Sequence, residues 1–460
     1  MQRFWIIAIS LVWCSQIWAQ DIKGEWQGAL NVNGVQLRLV VHIKDDDGTL
    51  SATLDSPDQG AKGLPIKSIS FEENILTFEM AGINASYRGT FTNKQFTGIW
   101  TQGGGRLPLI FAREKLAKKV ANRPQEPSRP YPYLEEEVSF HNNDFDITLA
   151  GTLTKPKGAG PFPVVVLISG SGAQNRNEEL AGHKPFLVIA DHLTRNGIAV
   201  LRYDDRGVAK SEGDYESATT ANLATDAHAA VEFLSNRTDV KQIGLMGHSE
   251  GGVIAPIVAA KTSKVDFIVL LAGTGIPGDE LLLMQSEAIM SAQGMAGPVL
   301  DRSIQINKGV FAILKNNKDA SSLKQELSDY ILAEVPAEYR PQGMSEEEFV
   351  ESQVGRLLSP WMHYFIQYNP AIILEEVTCP VLAVNGELDL QVPANANLSA
   401  IKAALNKGGN QQVKTISYPG LNHLFQKTET GLPTEYGELE ETFSEAVMND
   451  LVTWIKTNLK

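Results

Sequence analysis

Residues 247–251 read Gly-His-Ser-Glu-Gly, inside the longer stretch IGLMGHSEGGVIAP at 243–256. A serine flanked at two positions by glycines fits the G-x-S-x-G pattern of a nucleophile elbow. The pattern carries chemistry only with a strand before it and a helix after it. IGLM is an apolar run suited to a buried strand, and GGVIAPIVAA reads as a helix. In such a strained turn, neighbours two positions away must lack bulk where strand and helix approach. The turn also aims the backbone N–H of Glu250 at a developing oxyanion, helped by the positive end of the following helix. Ser249 is therefore the candidate nucleophile; the plainer alternative is a serine in a glycine-rich turn.

A serine hydroxyl needs a base to take its proton. In the chain order Ser, Asp or Glu, His, the base comes last. Of eight histidines, only His423 lies C-terminal to the last candidate acid, in PGLNHLF after an apolar strand. Loops at that end of parallel strands present catalytic groups. His248 sits inside the elbow with its side chain expected to point away from the hydroxyl, and His192 and His228 fall in helices. His183 is a pocket-lining candidate near a site loop, and His363 is a substrate-contact candidate further along. The acid must orient the imidazole and stabilise its charged form. VLAVNGELDLQVP (381–393) offers Asp389, with Glu387 as the fallback and a surface ion pair as its plainer role.

The second oxyanion donor is expected in LISGSGAQNR (167–176), where small residues let backbone approach a substrate. The Ser171 N–H is the first choice, flanked by Gly170 and Gly172 as substrate-binding candidates. Local turn hydrogen bonding is the plainer role for the Ser169 and Ser171 hydroxyls. RYDDRGVAKSEG (202–213) reads as an Asp–Arg network bracing the elbow rather than a second catalytic cluster. No H-E-x-x-H pattern, paired-histidine zinc site or phosphate-cradling glycine loop occurs, so no metal or cofactor is expected.

These residues need a scaffold. From 138 onward, apolar strands alternate with helices: FPVVVLISGSG, IAVLRYDDRG, VKQIGLMG, VDFIVLLAG, CPVLAVNGELD and VKTISYPGLNH. Strands apolar on both faces indicate a mostly parallel sheet covered on both sides. The helical stretch 276–372 interrupts the alternation and reads as a cap over the site. Residues 20–114 read instead as short, turn-separated strands, a small antiparallel barrel or sandwich. Trp26 and Trp100, near glycines at its two ends, serve as core or, less plainly, as stacking platforms for a ligand. Between them and the sheet, 115–137 carries Pro124, Pro127, Pro130 and Pro132 and reads as an extended linker. The catalytic domain is then 138–275 with 373–460.

The first 19 residues have the layout of a signal peptide: Arg3, an apolar run from Phe4 to Trp13, and Ala19 before the break. The run is short for a membrane span of about 20 residues, and Trp13 argues against lipid attachment at Cys14. A periplasmic or secreted protein is expected, with Cys379 as its one remaining thiol and no later membrane span. A formal net charge of −14 leaves no basic surplus for a nucleic-acid partner. The sequence leaves the oligomeric state open.

With these residues in hand, 140–460 resembles the α/β-hydrolase superfamily, and within it the bacterial EstD-type esterases related to serine aminopeptidase-like hydrolases. The stretches that carry it are GSGAQNRNEELAGHKPFLVIADHLTRNGIAVLRYDDRG, GHSEGG, NGELDLQVP and GLNHLFQ. The resemblance implies a small-molecule ester substrate, hydrolysed by an acyl-enzyme route without a cofactor. It implies Ser249 as nucleophile, Asp389 as acid and His423 as base. Two departures stand out. SGSG replaces the frequent His-Gly pair of the oxyanion loop, and Glu250 follows the nucleophile where an apolar or amide residue is frequent. The Glu250 carboxylate would disfavour anionic substrates or recruit an amine. A peptidase or amidase with the same triad is the alternative, and a non-catalytic ligand-binding protein is a more distant one.

Overall fold

The computed structural model describes residues 22–459 apart from 33–34, 47–48, 58–60, 81–82, 84, 103–104, 115–121, 317–319, 336–339 and 341–344. The expected signal peptide, 1–19, lies outside the described residues, as does the first part of the linker. The chain divides into two compact units near residue 118.

The N-terminal unit alternates inward and outward side chains at the two-residue period of strands. Its strands are Gly24–Val32 (β1), Val35–Asp46 (β2), Thr49–Ser56 (β3), Ala61–Pro65 (β4), Ser68–Glu72 (β5), Ile75–Met80 (β6), Ala85–Thr92 (β7), Gln95–Gln102 (β8) and Gly105–Ala112 (β9). They form one sheet in the order β4-β3-β2-β1-β9-β8-β7-β6-β5. One continuous sheet selects the barrel-like expectation over the sandwich, as an open half-barrel whose end strands are β4 and β5. Trp26 and Trp100 are buried, and Trp26 meets Phe96 edge-on with ring centroids 4.6 Å apart. Both indoles are core, which removes the ligand-stacking role.

The second unit holds an eight-stranded sheet. Its strands are Leu134–Asn142 (β10), Ile147–Lys155 (β11), Phe162–Ile168 (β12), Ala199–Tyr203 (β13), Val240–His248 (β14), Phe267–Leu271 (β15), Val381–Gly386 (β16) and Val413–Tyr418 (β17). The order is β10-β11-β13-β12-β14-β15-β16-β17, with the β10·β11 and β11·β13 pairs antiparallel and the remaining pairs parallel. Strand β12 shows why its run is apolar throughout. Val164, Val166 and Ile168 enter one core with the helices Thr220–Ser235 (α2), Gly251–Lys261 (α3) and Ala394–Lys407 (α10). Val165 and Leu167 enter the opposite core with Pro185–Arg195 (α1) and Glu445–Asn458 (α11). At about 25 cal/mol per Å² of apolar surface, the two-sided burial is the main force holding the sheet.

Between β15 and β16 come Gly278–Ala292 (α4), Pro298–Asn316 (α5), Ala320–Glu334 (α6), Glu346–Leu357 (α7), Pro360–Gln367 (α8) and Pro370–Leu374 (α9). The cap helices have a core of their own, with Phe311, Leu314, Leu327 and Val354 buried together. The proline-rich stretch differs from a free spacer. Arg123 donates to the carbonyls of Gly437 and Leu439, and the Gln125 amide donates to Phe443 O at 2.7 Å. Side chains of the stretch thus tie it to the 437–443 loop of the same unit, and β10 already begins at Leu134. Among the described residues, no helix is long and apolar enough to cross a membrane.

Candidate active site

The elbow shows its strain directly. Ser249 has φ +52°, a left-handed value costly for a residue with a Cβ. Its N–H donates to Leu271 O on β15 at 2.8 Å, which anchors the turn. A Cβ on Gly247 would lie 1.9 Å from the Gly251 carbonyl oxygen, and one on Gly251 would lie 2.1 Å from that of Ile168. Both glycines are dictated by backbone crowding, not by flexibility.

Asp389 and His423 meet in the loops after β16 and β17. Asp389 Oδ2 accepts from His423 Nδ1 at 2.7 Å. Its Oδ1 accepts from the N–H groups of Gln391 and Val392, each at 2.8 Å, so the carboxylate plane is fixed from both sides. The two loops run so close that a Cβ on Gly386 would come 2.2 Å from Leu421 O. Asn422 Oδ1 accepts from the N–H groups of Leu424 and Gln426, at 3.0 and 2.9 Å, and shapes the turn bearing His423. With Nδ1 engaged, Nε2 is the imidazole nitrogen left for the cavity. Glu387 accepts an exposed hydrogen bond from Ser417, which fits its surface role.

A cavity of about 330 Å³ gathers Ser249, Glu250, His423, Gly170 and Ser171, roofed by Leu281, Trp361 and Phe365 of the cap. Around it the loop after β12 is braced. Ser169 Oγ donates to Asp205 Oδ1 at 2.8 Å, and the Gln174 N–H donates to Asp205 Oδ2 at 2.9 Å. Burial, with Glu250 and Glu178 nearby, pushes the Asp205 carboxyl up to about 8 against those two hydrogen bonds. Arg176 pairs with Asp204 and Arg206 with Asp226, the bracing expected of this charged stretch. The Gly170 N–H is taken by Glu178 Oε1 at 2.7 Å. The N–H groups of Ser171 and Glu250 have no acceptor among the described residues, as oxyanion donors require.

The side chain of Glu250 is buried. Its Oε1 accepts from Thr220 Oγ1 and from Trp361 Nε1, both at 2.7 Å, while Oε2 is buried without a hydrogen-bond partner among the described residues. Burial raises its carboxyl above the ordinary range, and the hydroxyl and indole donors oppose this.

Residues 183–329 match the family model described as "Serine aminopeptidase, S33". The chain is also 28% identical, over 380 residues, to Esterase EstD of Thermotoga maritima, with 82% of each chain covered. The fold of the second unit is that of the α/β-hydrolases. Among solved structures, the hydrolase overlays the Pyrococcus furiosus esterase Pf2001 with a TM-score of 0.43 and 15% identity, covering 75% of this chain and 100% of that one. It overlays a dienelactone hydrolase from Anabaena variabilis with a TM-score of 0.39 and 16% identity, covering 72% and 100%.

Three of the hydrolase's expected pocket residues lie elsewhere. His183 is fully buried, with Nδ1 2.9 Å from Thr442 Oγ1 and Nε2 2.8 Å from Tyr436 O, and burial lowers it to about 4. It braces the C-terminal loop and is not a lining residue. His363 lines a separate, larger cavity of about 590 Å³ beside Tyr364 and Tyr368, which holds none of Ser249, His423 or Glu250. That cavity is larger but lies off the chemistry. Gly172, at φ +102°, commits its N–H to Tyr215 OH at 2.8 Å and does not line the catalytic cavity. Sequence reasoning missed Glu178, Trp361 and the cavity position of His248. Glu178 sits in the same motif-bearing stretch as Gly170, and that proximity was the available signal.

Proposed function

We propose that this protein hydrolyses carboxylic esters through an acyl-enzyme on Ser249. The observation that carries the reading is the buried 2.7 Å contact between Asp389 and His423, in loops whose imidazole opens on the cavity of Ser249. His423 takes the hydroxyl proton as Ser249 attacks the ester carbonyl. Asp389 holds the imidazole and stabilises its cationic form. The Glu250 and Ser171 N–H groups receive the oxyanion. Collapse expels the alcohol, to which His423 returns the proton, and water then releases the acid by the reverse path. The relative EstD, an esterase by name, supports an ester in place of an amide. The N-terminal signal layout supports export to the periplasm or beyond.

The test is Ser249→Ala, assayed on short-chain p-nitrophenyl esters beside matched aminoacyl p-nitroanilides. Loss of ester turnover with an unchanged melting curve is expected. Retained turnover overturns the assignment, and faster amide than ester turnover in the native protein moves the reading to a peptidase. Periplasmic fractionation of the full chain tests export.

A further inference from the structure

One carboxylate oxygen joins three loops of the site. Glu178 Oε1 accepts from the Gly170 N–H at 2.7 Å and from His248 Nδ1 at 2.8 Å. The other nitrogen of His248, Nε2, donates to the carbonyl of His423 at 3.1 Å. Contacts therefore run from the oxyanion loop, through the elbow, to the loop of the base. Gly170 sits at their centre: a Cβ there would come 3.2 Å from Ser249 Cβ, 3.3 Å from Glu178 Oε1 and 3.5 Å from His248 Nδ1. Glu178 and His248 are both buried, and Glu178 has φ +50°. Backbone strain of that kind persists only where surrounding contacts hold it.

We propose that Glu178 and His248 are positioning residues, a buried carboxylate–imidazolium pair that holds the oxyanion loop and the His423 loop in register around Ser249. The proposal rests on the nucleophile and base assignments above. Neither residue exchanges a proton with substrate. The partners of His248 motivate that charge: Nδ1 faces a carboxyl oxygen of Glu178 and Nε2 a carbonyl oxygen. In the proposed pair both partners accept, so both nitrogens carry hydrogen and the ring is cationic.

The groups facing His248 come from several loops. Glu178 lies on one side, with Asp205 in electrostatic reach of it, and Asp389 and the His423 ring, 4.8 Å away, lie on the other. Glu250 is the next residue but one in the elbow. Burial lowers His248, but Glu178, the His423 carbonyl and Asp389 outweigh it, so the group is raised overall. A base raised on folding keeps its contacts at low pH and loses them as pH rises through its folded value. Deprotonation of His248 therefore sets an alkaline limb on activity.

The test uses the full chain. Glu178→Gln keeps an acceptor for Gly170 but cannot hold the cation. It is expected to lower kcat about 10- to 100-fold, as for a small misplacement of reacting groups, with KM little changed. It is also expected to erase the alkaline limb, while Glu178→Asp retains that limb. A purely structural role would leave the pH profile alone. Nitrogen-15 NMR of the unmodified protein at neutral pH is expected to find both His248 nitrogens protonated, and it decides the matter even if the variants fail to fold. A neutral His248, or a Glu178→Gln enzyme with native kcat and pH profile, overturns the proposal. Ser249→Ala separates the two readings: if it is inactive and Glu178→Gln is native, the positioning role alone fails; if it is active, the underlying assignment fails.

Discussion

Asp389 and His423 are 34 positions apart in the chain, yet Oδ2 of one accepts from Nδ1 of the other at 2.7 Å. The contact exists because β16 and β17 are parallel neighbours, paired from Val381 with Val413 to Gly386 with Tyr418. Parallel pairing brings the C-terminal ends of both strands to one edge, and the two loops leave from there.

Asp389→Asn keeps the shape and removes the charge. Its amide favours the wrong imidazole tautomer, a change that in a serine triad costs about 10⁴-fold in kcat. Glu387→Gln, two residues away and exposed on Ser417, is expected to leave kcat unchanged. Steady-state kinetics of the pair checks the assignment, and equal losses in both would assign the acid to the loop as a whole.

Gly247→Ala and Gly251→Ala each drive a methyl into a carbonyl oxygen, at 1.9 and 2.1 Å. Backbone must move, and overpacking of this kind costs about 1–3 kcal/mol or more. Urea unfolding is expected to find both variants destabilised, with activity lost alongside. The open Gly409, whose Cβ would meet nothing within 4 Å but whose φ is +90°, isolates the backbone term alone. Gly409→Ala is expected to cost about 1 kcal/mol, with native kinetics.

The elbow geometry at Ser249 and the Asp389–His423 contact were legible because each is announced locally. Gly247 and Gly251 bracket Ser249, and Asp389 and His423 each follow an apolar strand in the required chain order. The sheet was legible for the same reason, since β12 is apolar on both faces. The cradle of Glu178, His248 and Trp361 was not. Its contacts span 70 positions from Glu178 to His248 and 111 from Glu250 to Trp361, and no periodicity marks them. His183 and His363 misled for a related reason. Nearness in sequence to a site loop or a cap says nothing of which way an imidazole turns, and tertiary packing sends one into the core and the other to a different cavity.

Folding lowers His183 to about 4, because its buried ring is held neutral between Thr442 and Tyr436. A base depressed on folding contributes stability above its unfolded value near 6.5, and that contribution is lost as pH falls from there towards 4. Thermal unfolding between pH 4 and 8 is expected to report a falling melting temperature in that window. His183→Gln removes the titration, so its curve is expected to be flatter there and lower at pH 8, by about 1–3 kcal/mol for the lost buried partners.

Trp361 ties the cap to the elbow through a single oxygen, since its Nε1 and Thr220 Oγ1 both donate to Glu250 Oε1. The indole also stacks on Phe365, with centroids 4.9 Å apart at 13°. Trp361→Phe keeps the stacked ring and deletes the donor. Glu250 then holds one hydrogen bond fewer in a buried site, a loss of about 1–3 kcal/mol shared between stability and cap closure. Thr220→Val deletes the other donor to the same oxygen but leaves the cap contact in place. If the indole bond holds the roof of the cavity down, KM for longer acyl esters rises in Trp361→Phe and stays near native in Thr220→Val. If both variants lose only stability, Glu250 serves the elbow and not the cap. KM measured across acyl chain lengths, beside urea unfolding of each variant, separates these outcomes because each substitution removes one donor from the same carboxyl oxygen, and only one of the two donors belongs to the cap.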